Sequence, residues 1–228
     1  MSDLILSASV RHLPLGRLEG VFRALEAAGV AELHFDIGDG RFAPVFGLDP
    51  AFIRLARATC GLTCHAHLMV ESPERHIDAL AASGCDIITL HVEACLHQHR
   101  ALQQIRHAGA TPGIALRATT PLTTLDYLLA ESGRVLLPTR DFADPETAPL
   151  PSAYERARIL QELIRYHRYP ATVEAKGGIG FQEAATFARV GVNRVVLDGG
   201  VLFPTPDADP AAAIAAFREQ AKTAELLV

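Results

Sequence analysis

Eight short runs rich in aliphatic and β-branched residues recur along the chain, and segments of helical periodicity fill the gaps between them. The strand-like runs are LILSASV (4–10), ELHFDI (32–37), LTCHAHLMV (62–70), DIITLHV (86–92), TPGIALR (111–117), RVLLPT (134–139), ATVEA (171–175) and NRVVLDG (193–199). Segments such as GRLEGVFRALEAAGV, DPAFIRLARATCG, SPERHIDALAASGC and AAAIAAFREQAK place apolar residues at helical spacing. Gly29, Gly61, Gly84 and Gly191 follow the first, second, third and seventh helices, where a helix end wants left-handed backbone. Eight strand–helix units in 228 residues leave about 28 residues each. That spacing demands short connections and helical crossovers, hence parallel strands. A doubly wound sheet uses the same alternation. Eight units, with polar residues gathered at strand C-terminal ends, favour a closed (β/α)8 barrel, one domain spanning residues 1–228.

Composition narrows the function classes. With 49% hydrophobic residues the chain has ample material for a core. A net charge of −5 argues against nucleic acid, whose phosphates want a basic face. No 18-residue apolar run occurs, so no membrane partner is expected. The first residues, MSDLILSASV, lack the charged start and apolar core of a signal peptide. Cys60, Cys64, Cys85 and Cys95 form no CxxC pair and sit among apolar or small neighbours. They read as reduced thiols of a cytoplasmic protein.

Chemistry gathers at strand ends. Side chains alternate along a strand, so His34 and Asp36 face together, as do His65 and His67 on the next strand. His34, Asp36 and His67 make a mixed nitrogen and oxygen cluster suited to a divalent transition metal. Asp36 alone could instead serve as a general base. Glycine pairs end two later strands: Gly177 and Gly178 after VEAK, Gly199 and Gly200 after VVLD. In many barrels phosphate binds after strands seven and eight, and glycine lets an anion approach backbone N–H groups. The same pairs could simply make tight turns. TRDFADPETAPLPSAY (139–154) reads as a long loop after the sixth strand, on the active face of a barrel.

The segments LSASV, HFDIGDGRFAP (34–44), HLMVESPERHI (67–77), GCDIITLHVEA (84–94), GIALRATTPL (113–122), GGIG and GGVLF together resemble the ribulose-phosphate 3-epimerase family over nearly the whole chain. The resemblance implies a metal-assisted, two-base epimerisation at carbon 3 of a ketopentose 5-phosphate. It assigns Ser9 to substrate contact, His34, Asp36 and His67 to metal binding, and Asp36 to catalysis. It counts His67 and Met69 as substrate-binding, with Met69 packed near the reacting carbon, and puts Gly177, Gly178, Gly199 and Gly200 in the phosphate site. It also implies a homo-oligomer.

The chain departs from the family pattern where the pattern carries charge. The seventh strand of the family ends in V-D-G-G, and the second catalytic carboxylate, also the fourth metal ligand, is here Lys176. Counting histidines as neutral, the four positions sum to zero instead of −2, which weakens the hold on Zn, Mn, Fe or Mg. His65 or water could supply a fourth ligand. Alternatively the Lys176 ammonium stabilises an enediolate and returns a proton, or pairs with Asp36, Asp39 or Asp198 as a structural ion pair. The family's methionine before Asp39 is Gly38, its asparagine after the fifth strand is Arg117, and its glycine-rich sixth loop is TRDFADPETAPL. Arg140 or Arg117 could take over phosphate binding. The expected activity is an epimerase acting on a keto-sugar phosphate. An enediolate-forming lyase or decarboxylase, and a non-catalytic sugar-phosphate binder, are the competing readings.

Overall fold

The computed structural model describes residues 4–141, 148–205 and 207–226, with side chains through residue 224. Eight parallel strands close into a barrel in sequence order: β1 (Ile5–Ser9), β2 (Glu32–Gly38), β3 (Thr63–Met69), β4 (Ile87–His91), β5 (Thr111–Ala115), β6 (Arg134–Pro138), β7 (Thr172–Lys176) and β8 (Arg194–Leu197). Helices α1 (Leu18–Ala27), α2 (Pro50–Thr59), α3 (Ile77–Ala82), α4 (Gln98–His107), α5 (Pro151–His167), α6 (Phe181–Arg189), a short α7 (Gly199–Leu202) and α8 (Pro210–Leu226) complete the units. None of the helices is long and apolar enough to cross a membrane, among the described residues. The barrel expected from the eightfold alternation is the observed architecture, and each strand lies within two or three residues of its predicted bounds.

Two local expectations need correcting. No α-helix joins β5 to β6; Leu122–Leu125 and Leu129–Glu131 form single 3-10 turns instead. The segment opens TTPLTT, where Pro121 and β-branched threonines disfavour a continuous helix. Leu125 and Leu129 still reach the core, so short turns cover the sheet there. Gly29, Gly84 and Gly191 adopt the left-handed backbone expected after a helix, but Gly61 does not. Cys60 ends α2 in extended conformation, leading straight into β3.

Alternation sorts the strand residues. Leu33, Phe35 and Ile37 of β2, Cys64, Ala66 and Leu68 of β3, and Val173 and Ala175 of β7 join the apolar layer beneath the helices. Their neighbours Glu32, His34, Asp36, His65, His67, Glu174 and Lys176 are buried as well, on the opposite face, which lines the barrel axis. Register stacks these inward groups in layers: Ser9 pairs with His34, His34 with His65, and Asp36 with His67. One glycine permits the packing of the interior. A Cβ on Gly113 would lie 2.0 Å from Thr89 Oγ1, and that hydroxyl is needed for a 2.8 Å hydrogen bond with His65 Nε2.

Candidate active site

The lower interior layer is a closed ionic network. Arg134 of β6 reaches across the barrel to Glu32 (Nη2 to Oε1, 2.9 Å) and meets Glu174 of the adjoining β7 (Nη1 to Oε2, 3.0 Å). Ser7 Oγ donates to Glu174 Oε1 at 2.6 Å, and Arg194 adds a second cation on Glu32. His65 Nδ1 stands 3.1 Å from Glu174 Oε2. Burial outweighs that carboxylate and pushes the His65 pKa down to about 4. The other His65 ring nitrogen, Nε2, is hydrogen-bonded with Thr89 Oγ1 at 2.8 Å. Together with His34 and Glu174, His65 could hold a metal ion.

Above that layer, at the C-terminal ends of β2, β3 and β7, Asp36 meets three groups through one oxygen. His67 Nδ1 is 3.0 Å from Asp36 Oδ1, His34 Nε2 is 3.3 Å away, and Lys176 Nζ forms an ion pair with the same atom. Nζ also lies 3.4 Å from His67 Nδ1. Asp36 is 3% exposed and Lys176 9%, so the pair is nearly dry. Burial alone would raise the Asp36 carboxyl. The Lys176 charge and the His34 and His67 rings outweigh it and hold the group well below the usual carboxylate range. Of the partners considered for Lys176, Asp36 is the one it meets. Asp39 instead accepts from the backbone of Arg41 (2.8 Å), Phe42 (3.0 Å) and Glu71 (2.8 Å), knitting the loop after β2 to the loop after β3. Asp198 pairs with Arg140.

His34, Asp36 and His67 present ligand atoms within 4.8 Å of one another, a group that could hold a metal ion. The ammonium of Lys176 stands on two of those three ligand atoms. While it does, the residues present do not fit a divalent ion, because the donor set carries no net negative charge to offset one.

A pocket at this mouth is lined by Asp36, Met69, Arg140, Lys176, Gly177 and Asp198, among others. Ser9, at the end of β1, is fully buried next to His34 in register, and its hydroxyl has no hydrogen-bond partner among the described residues. Gly178 N donates to Asp198 Oδ2 at 3.2 Å, so a carboxylate of the chain itself occupies that N–H. Gly199 and Gly200 begin α7, the first buried against His12 and the second exposed. Arg140 borders the pocket, with Nη2 3.2 Å from Asp198 Oδ2. Arg117 does not: its guanidinium lies 4.6 Å over the Phe42 ring, and its backbone N–H donates to Glu93 Oε1 at 2.7 Å. Most of the sixth loop, residues 142–147, lies outside the described residues.

The sequence reading passed over two groups here. His91, at the end of β4, places Nε2 2.8 Å from His67 Nε2, and its Nδ1 is 3.3 Å from Glu93 Oε2. The signal was present in the order His91-Val92-Glu93, at a strand end like those of His34 and His67. Glu174 was also legible, since it shares a strand face with Lys176 two residues away.

Comparison with known proteins bears on the family and the fold. A profile described as the ribulose-phosphate 3 epimerase family matches residues 5–203. A ribulose-phosphate 3-epimerase of Synechocystis sp. is 29% identical over 90% of each chain. Ribulose-phosphate 3-epimerase 1 of Cupriavidus necator is 32% identical over 90% of this chain and 86% of its own. Among solved structures, KGPDC from Streptococcus mutans superposes with a TM-score of 0.72 over 97% of this chain and 99% of its own, at 14% identity. That likeness speaks to the barrel alone. A match from the first strand to the turn after the eighth, shared with relatives over nine-tenths of the sequence, settles the kinship: the chain belongs to the ribulose-phosphate 3-epimerase family.

Proposed function

We propose that the protein epimerises a keto-sugar phosphate at carbon 3, with ribulose 5-phosphate as the reference substrate. The observation that carries this reading is a single buried carboxylate, Asp36, at the barrel mouth, kept ionised by an adjacent ammonium. A carboxylate in that state accepts the carbon-bound proton next to a ketone. The electron pair of the broken C–H bond enters the C2–C3 bond, and the carbonyl oxygen becomes an enediolate oxyanion. Lys176, on the same pocket, stabilises that oxyanion and supplies a proton to the face opposite Asp36. Inversion requires the substrate to enter between the two groups and separate the pair. Ser9, with its unpartnered buried hydroxyl, and Met69, beside Asp36 in the pocket, support a role in holding the substrate near His67.

The phosphate is assigned to the strand ends that carry Gly177, Gly178, Gly199 and Gly200; of these glycines Gly177 lines the pocket, with Arg140 as its side-chain cation. A divalent ion on His34, Asp36 and His67 would be held weakly, since Lys176 stands among its ligands. The family match supports an epimerase over a lyase or a passive binder.

The test is exchange in deuterated water. Ribulose 5-phosphate should gain deuterium at carbon 3 and form its C3 epimer, both read by NMR. No exchange and no epimer, with and without added Zn, Mn, Fe or Mg, would exclude this substrate.

A further inference from the structure

We propose that the Lys176 ammonium is the resident cation of this site, standing in for a divalent metal, and that the site works metal-free. The catalytic half of the inference rests on the epimerase reading; the cation half does not.

The positions of the polar atoms at the mouth place a cation at that point. His67 Nδ1 lies 3.0 Å and His34 Nε2 3.3 Å from Asp36 Oδ1, and Lys176 Nζ contacts both Oδ1 and His67 Nδ1. The ammonium therefore stands where the candidate ligand atoms converge, the place a metal ion would need. It carries three donor protons, so pairing with Oδ1 leaves others for a ligand.

Charge balance points the same way. Asp36 and Lys176 cancel, and the layer beneath cancels too, with Glu32 and Glu174 against Arg134 and Arg194. An added divalent ion would enter a neutral, nearly dry interior beside a fixed ammonium. It would also have to take Asp36 and His67 away from that ammonium. The ammonium, in contrast, can follow the developing charge from Asp36 to the substrate oxygen as the carboxylate takes up the proton.

Metal binding without substrate is the test. Purified full-length protein, treated with chelator and dialysed, is titrated with ZnCl2 and MnCl2 by calorimetry, and bound metal is counted by mass spectrometry. The wild type should retain well under one ion per chain. Lys176→Asp should bind about one ion, at least 100-fold more tightly, and Lys176→Asp combined with His34→Ala should lose that gain. Lys176→Met removes the charge while keeping a similar side-chain length, so it also gains affinity, and it serves if the carboxylate variant fails to fold. Stoichiometric wild-type metal as tight as in the variants overturns the inference. So does deuterium exchange by the wild type that is abolished by chelator and restored by metal. If no metal binds and no exchange occurs on ribulose 5-phosphate, the cation assignment stands and the substrate reading alone fails.

Discussion

Asp36 serves a base and a buried ion pair through one oxygen, and the two roles come apart under mutation. Asp36→Asn keeps the shape but removes the charge that Lys176 answers. Deuterium exchange should fall by about 10²- to 10⁴-fold, the usual worth of a positioned base. Stability should fall by about 3–5 kcal/mol, because the ammonium at 9% exposure is left uncompensated. Adding Lys176→Met should restore most of the urea midpoint and none of the exchange. If the double variant stays as unstable as the single one, the pair is not what stabilises the mouth. At this scale the sequence was legible where strand alternation applied. His34, Asp36 and His67 could be placed on common faces because the period is two. The partner of Lys176 could not be read, since three aspartates were available to it. Choosing among them requires knowing that β2 and β7 converge across the barrel, which no local pattern encodes.

Strand-level sorting explains a second feature that the sequence reading passed over. An apolar-rich chain suggests an apolar barrel interior, but β2, β6, β7 and β8 direct Glu32, Arg134, Glu174 and Arg194 inward or to its rim. Ala115, Leu136 and Val196 form a small apolar cluster there. The larger core lies outside the sheet, where α1, α2 and their successors cover it. Each of these charged residues, met alone in a strand, reads as a surface position. Their complementarity appears only once β2 faces β6 and β7. Arg134 holds both carboxylates at 2.9–3.0 Å, so Arg134→Met leaves two buried acids with only Arg194 against them. Unfolding free energy in urea should drop by about 3–5 kcal/mol. Adding Glu32→Gln and Glu174→Gln should recover a large part of it. A single variant as stable as the wild type would mean the network contributes nothing net. The missing helix between β5 and β6 belongs to the same scale. Proline and threonine marked the segment, but its two 3-10 turns are long enough to satisfy the crossover only because Leu125 and Leu129 find the core.

For the whole molecule, the buried groups fix a pH range of maximal stability, and the signs follow from their shifts. Burial lowers His65 from 6.5 to about 4. The unfolded chain therefore binds a proton that the folded barrel refuses, and stability is lost as pH falls from about 6.5 toward 4. The carboxyls of Asp36 and Glu174 are held below their ordinary values despite burial, chiefly by Lys176 and Arg134 respectively. They extend the loss below pH 4 in the same direction. Thiols act on the other side. Burial raises Cys64 from 9.0 to about 11 and Cys85 to about 12. Above pH 9 the unfolded chain releases protons that the folded one keeps, so stability falls as pH rises toward those values. The melting temperature should therefore be nearly flat between about pH 6.5 and 9 and decline on both sides. Cys85→Ala should flatten the alkaline limb while leaving the acid limb in place, because that limb belongs to the barrel interior and Cys85 packs outside it, under the helices. A melting temperature that keeps rising from pH 9 to 11, or an acid limb that begins only below pH 4, would contradict the assignment of these groups.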